Sequence, residues 1–269
     1  VKGGVATSML SHAILRPRAA ELAAPLPEVM RLLRYQEGRT RVTARDLALL
    51  ARGIALAREA AAPAVSLAYC AVAVEGDRVR TGVPGIGWRS RSLARLLAGA
   101  DAVTLVAATL GPGVEELTAQ LFAREEYALA TVVDAAGSAL VKGLAEWVRA
   151  RLYRETAGVD PSGHARSVDP GVSGPDAGAA PGITGGARLT PLYGPGYGDW
   201  PIEEQGPLVV LAGGPAIGLT CTPTSYLVPQ KSLVGLIGWL PHGGRDLPAA
   251  GCTRCTLADC AYRVTAAQR

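Results

Sequence analysis

Three cysteines packed into nine residues, Cys252, Cys255 and Cys260, are the densest set of soft metal ligands in the chain. A C-x2-C pair presents both sulfurs to one metal through a tight turn, and the third thiol can close over it. The set suits an iron–sulfur cluster or a zinc ion that takes a fourth group or keeps an open position. Cys221 and His242 are the candidate fourth ligands. The plainer reading is three reduced cysteines in a tail that packs on the domain. Five cysteines with this clustering fit a reducing compartment, the cytoplasm, better than a disulfide scaffold. Cys70 alternates with apolar residues and reads as a small buried hydrophobe.

The second concentration of chemistry is the loop at 193–205. Gly194, Gly196 and Gly198 permit close backbone approach to a ligand, and Pro195 stiffens the turn. Tyr193, Tyr197 and Trp200 offer aromatic faces to a planar base or a cationic sulfonium. Asp199 is placed to cap the helix that Pro201 begins, with Glu203 and Glu204 at its positive end. A Gly-Pro turn packed by its own tyrosines is the alternative. Elsewhere there is no Walker loop, dinucleotide fingerprint, nucleophile elbow or His-Glu-x-x-His, and His12, His164 and His242 lie far apart.

The elements that must position these residues follow from composition and periodicity. The chain of 269 residues is 49% hydrophobic and 19% charged, enough for a sizeable core, with a single phenylalanine, Phe122. The densest basic stretch, Arg78 to Arg95, lacks the interleaved aromatics of a nucleic-acid platform. No run of about 18 consecutive apolar residues suggests a membrane span. His12, Arg16 and Arg18 argue against a secretory signal.

Residues 1–26 lack periodicity and read as an extension. Thr43 and Asp46 form a capping-box pattern ahead of an Ala/Leu-rich helix reaching about Ala62. Residues Ala64 to Val74 read as a strand, Ser92 as the cap of a short helix, and Ala102 to Ala108 as a fully buried strand. Pro112 suits the first turn of the next helix, and a longer one runs from about Tyr127 to Arg154 with apolar residues at three- and four-residue steps. The 33 residues 155–187 hold 12 Gly or Pro, no Leu and no aromatic, and read as a flexible insert. The run Leu208 to Leu219, broken by Gly213, Gly214 and Pro215, reads as a buried element with a turn.

The Pro195-Gly196-Tyr197 core resembles the ligand loop of the activation domain of vitamin B12-dependent methionine synthase. In that family an upstream arginine and the Gly-Tyr pair hold S-adenosylmethionine. Residues 195–205 are similar to short stand-alone relatives, which commonly carry a C-terminal cysteine tail. Residues 28–33, Thr109-Leu110-Gly111, Asp134 to Ser138, Ile217 to Thr220 and Val228 to Ser232 fit the same pattern in order, so the resemblance runs from about 27 to 263. Two positions depart from it. The family's arginine falls at Leu192 here, with Arg188 the nearest candidate, and a family glutamate is Lys142.

The resemblance implies a single α+β domain over 27–251, a bent, mainly antiparallel sheet flanked by helices, followed by the cysteine tail 252–269. It implies that Arg188, Pro195, Gly196, Tyr197 and Asp199 bind S-adenosylmethionine and that no residue does acid–base catalysis. The chain would serve reductive reactivation, in trans, of a cobalamin-binding methionine synthase subunit, with a flavodoxin-like or ferredoxin-like electron donor. A redox accessory of another corrinoid protein, and a binding module that has lost its ligand, are the alternatives.

Overall fold

The computed structural model describes residues 10–36, 38–156 and 188–240. The insert expected at 155–187 lies outside them apart from the last two residues of a helix, and the cysteine tail and His242 lie outside entirely.

Thr43 and Asp46 do form a capping box. The Thr43 backbone N–H donates to Asp46 Oδ2 (2.8 Å), and the Asp46 N–H donates to Thr43 Oγ1 (3.3 Å). These bonds start α2 (Ala44–Ala60), which follows the short α1 (Leu26–Leu32). α2 packs on α5 (Tyr127–Thr156), a 30-residue helix joined through a tight turn to α4 (Gly113–Ala123). The stretch Tyr127–Arg154 is long and apolar enough to cross a membrane, yet 61% of an apolar 18-residue window within it is buried inside the fold, as in a core helix. Leu129, Val133, Ala136, Leu140, Leu144 and Val148 are its buried stripe.

These helices cover one face of a seven-stranded antiparallel sheet, comprising β1 (His12–Leu15), β2 (Ala64–Glu75), β3 (Arg78–Thr81), β4 (Gly87–Arg89), β5 (Ala102–Thr109), β6 (Arg188–Leu189) and β9 (Ser232–Leu240). The order is β4-β3-β2-β5-β9-β6, with β1 also against β2. β5 and β9 are central and buried on both faces, so they read as unbroken apolar runs. The second face carries α3 (Arg91–Leu96), α6 (Gln205–Leu211) and a two-stranded ribbon of β7 (Thr220–Cys221) and β8 (Leu227–Val228). α6 ends in a turn where Gly213 and Gly218 adopt positive φ, as the broken apolar run at 208–219 suggested.

Two local expectations are corrected. The extension at 1–26 contributes a strand: Ala13 pairs with Leu67 and Leu15 with Val65, and Leu22 is buried. Four residues are too few to show periodicity, and their partner lies some fifty positions on. The cap of α3 is Ser90, whose Oγ accepts from the Leu93 N–H (3.1 Å), rather than Ser92.

Candidate functional site

The loop at 193–200 hangs on the edge of β9. The Tyr193 N–H donates to the Leu236 carbonyl (3.0 Å) and the Leu236 N–H returns to Tyr193 (2.8 Å). The chain then folds on itself: Tyr197 N–H to Gly194 O (3.2 Å), Gly196 N–H to Trp200 O (2.9 Å) and Trp200 N–H to Tyr197 O (3.1 Å). Gly196 and Gly198 have φ of +87° and +59°, which explains why glycine occupies both.

On the side that a Cβ would take, those glycines face the protein itself. A Cβ at Gly194 would strike the Val234 carbonyl, and one at Gly196 would lie 2.9 Å from Ile202 Cδ1. One at Gly198 would lie 2.5 Å from the Tyr193 hydroxyl and 2.6 Å from Ser92 Oγ. The glycines therefore let the loop close against its own domain, where the sequence suggested approach to a ligand.

The aromatic residues form a ladder from surface to core. Tyr197, 61% exposed, sits 5.7 Å from Tyr193, which stacks on buried Trp200 at 6.2 Å with planes 7° apart. Trp200 meets Trp88 edge-on at 5.4 Å. Trp88 had no motif to mark it; the scarcity of aromatics is the one signal that could have singled it out.

Asp199 is engaged elsewhere than expected. Its carboxylate accepts from the Ser90 hydroxyl (2.6 Å) and from the backbone N–H groups of Arg91 (2.8 Å) and Ser92 (2.9 Å). It thus closes the start of α3, while the turn after Pro201 has no side-chain cap. These bonds, the Ser90 hydroxyl foremost, hold its carboxyl well below the usual carboxylate range. Burial pushes the Tyr193 phenol upward.

Of the residues expected to touch ligand, Gly196, Tyr197 and Asp199 are exposed, whereas Pro195 is buried. The backbone of Arg188 lies in β6, away from the loop. It pairs with Leu240, four positions along β9 from the Tyr193–Leu236 bridge, a spacing of about 13 Å. Lys142 lies on α5 and pairs with Glu28 at 3.2 Å.

Three other motifs converge at Lys231, which is only 8% exposed. Its Nζ lies 2.7 Å from Asp134 Oδ1 and 3.0 Å from Ser138 Oγ. Gly137 leaves room for the lysine stem, since a Cβ there would lie 3.2 Å from Lys231 Cε. The Lys231 N–H donates to Glu115 Oε1 (3.0 Å), and its carbonyl accepts from Leu110 (2.9 Å). Ser232 Oγ donates to Thr109 Oγ1 (2.8 Å), which also accepts from the Gly111 N–H (3.0 Å). Residues 109–111, 134–138 and 228–232 are thus one polar joint between sheet and helices.

Among the described residues no group of three or more His, Cys, Asp or Glu side chains could hold a metal ion. Cys252, Cys255 and Cys260 lie outside those residues. Cys221, proposed as a fourth ligand, is half-buried in β7, and burial raises its thiol pKa.

No family model and no curated protein sequence matches the chain. Among solved structures it is similar to the crystal structure of the MetH reactivation domain bound to AdoHcy, with a TM-score of 0.58 and 14% identity. The alignment covers 88% of this chain and 80% of that one. The mainly antiparallel sheet flanked by helices is therefore the fold of that reactivation domain.

Proposed function

We propose that this chain binds S-adenosylmethionine at the 193–200 loop and presents it to a cobalamin-binding methionine synthase subunit acting as a separate partner. The observation that carries the reading is fold similarity, over most of both chains, to a reactivation domain solved with AdoHcy. Tyr197 supports it locally, because an exposed ring beside a second tyrosine suits a sulfonium or an adenine. The ligand would supply a methyl group, and one electron from a flavodoxin-like or ferredoxin-like donor would restore methylcobalamin on the partner. The residues of this chain contribute binding and orientation rather than proton transfer. The cysteine tail, if metallated as an iron–sulfur or zinc site, would add a redox or structural role.

Titration calorimetry with S-adenosylmethionine tests this. Saturable binding that weakens about tenfold in Tyr197→Ala is expected; no heat at millimolar ligand would reject the reading. A second reading, a module that has lost the ligand, is favoured by the engagement of Asp199 at the start of α3 and by the glycines whose Cβ directions face the protein.

A further inference from the structure

Residues 78–100 hold five arginines and no acid, and the fold gathers them at one end of the sheet, on β3, β4 and α3. Arg80 pairs with Glu75 at 3.1 Å and Arg89 with Asp77 at 2.7 Å, while Arg78 stands directly across the hairpin from Arg89. Arg91 and Arg95 are exposed on α3. Neither side chain forms an ion pair or a hydrogen bond among the described residues.

These two arginines line an open groove of about 460 Å³ between α3 and the turn that joins β2 to β3, with Val74, Gly76 and Ala94 in its wall. Its one acidic lining residue, Asp77, is held by Arg89, and that guanidinium keeps the carboxyl below its ordinary range. Asp199, at the start of α3, is likewise occupied, by the Ser90 hydroxyl and the N–H groups of Arg91 and Ser92. Asp101, past the end of α3, forms no ion pair with either arginine.

Stability does not account for the pair. Arg91 is the first residue of α3, where the positive helix end disfavours a cation, and Arg95 follows one turn later, close enough for like charges to repel. Ala94 and Ala98, on the same side of the groove, carry only methyl groups, so a second chain can approach α3 closely. The two guanidinia therefore present forked donors, one helical turn apart, beside a small-residue surface.

We propose that this groove docks an acidic segment of a partner protein, in which carboxylates one helical turn apart each take one guanidinium in a forked pair. An open groove does not enclose a small ligand as a small-molecule pocket does. None of the lining residues is aromatic, so a nucleic-acid strand would find phosphate contacts and no stacking platform. The assignment does not depend on ligand binding at the 193–200 loop.

Calorimetry on the full chain at low salt, with a capped peptide of repeating Glu-Ala-Ala-Ala, tests it. Saturable binding is expected, at least about tenfold weaker for the Gln-Ala-Ala-Ala peptide and falling as salt is added. Arg91→Gln combined with Arg95→Gln should weaken it at least about tenfold, while the melting temperature holds or rises. Arg52→Gln combined with Arg149→Gln removes the same charge from the helical layer and should change binding less than about twofold. No binding, equal affinity for the two peptides, an unaffected Arg91 and Arg95 variant, or an equal loss in the Arg52 and Arg149 variant would overturn the proposal. Polyuridylate bound more tightly than the acidic peptide, and lost in the Arg91 and Arg95 variant, would overturn it in favour of nucleic acid.

Discussion

The joint at Lys231 and the loop at Tyr197 carry the same kind of sequence signal and use it in opposite ways. At Lys231, three motifs far apart in the chain meet as one buried polar joint. At Tyr197, a run of adjacent residues turns back on itself, and most of its polar and glycine positions serve its own closure. Ordered motifs at long spacing therefore report the architecture. The compact motif, which looked the more like a ligand site, leaves one exposed ring for that task.

The contrast can be broken by substitution, and the largest effect should come from the joint. Lys231→Met removes the partner of Asp134 and of Ser138 and should cost about 3 kcal/mol in urea denaturation. Asp134 is 51% exposed, which places the value at the low end for a buried pair. A loss below about 0.5 kcal/mol would mean that the network is incidental.

Gly198→Ala should cost about 2 kcal/mol, because it adds a Cβ at positive φ against the Tyr193 hydroxyl and Ser92. It should also disturb near-ultraviolet dichroism from the stacked rings; an unaltered spectrum would argue against the closed loop.

Asp199→Asn separates the two regions by pH. The folded carboxyl titrates below its ordinary value of 3.8, so its contribution is complete above that value and is lost as pH falls toward the lower folded value. Wild type should melt higher at neutral pH, and the two curves should converge in acid. Parallel curves across pH 2 to 7, a range set roughly by carboxylate titration, would rule out that role.

The smallest effect is expected at Tyr197→Ala, with stability within about 0.5 kcal/mol of wild type, since the ring is exposed. A much larger loss would make Tyr197 part of the packing and leave the loop with no free contact group.

Features set by neighbours in sequence were legible. The capping box of α2 follows from a three-residue spacing, the stripe of α5 from steps of three and four, and β5 from an unbroken apolar run. Features decided at long range were not. Ser90 and Ser92 offer the same local signal, and a hydrogen-bonding pattern completed by Asp199, more than a hundred positions away, favours Ser90. β1 has four residues and becomes a strand only because β2 offers an edge. The Gly194–Trp200 loop was visible as a turn. That its glycines face Val234, Ile202 and Tyr193 depends on where β9 lies.

The position of β9 also has a consequence for the order in which the protein is made. Residues 232–240 lie between β5 and β6, and they carry the bridge from which the 193–200 loop hangs. A chain emerging from the ribosome can assemble α2, α4 and α5 on β2 and β5 while the outer edge of β5 is still open. That apolar edge stays unpaired through the synthesis of more than a hundred further residues, an interval in which a chaperone would be useful. The loop proposed to meet the ligand is therefore among the last parts of the described fold to take shape.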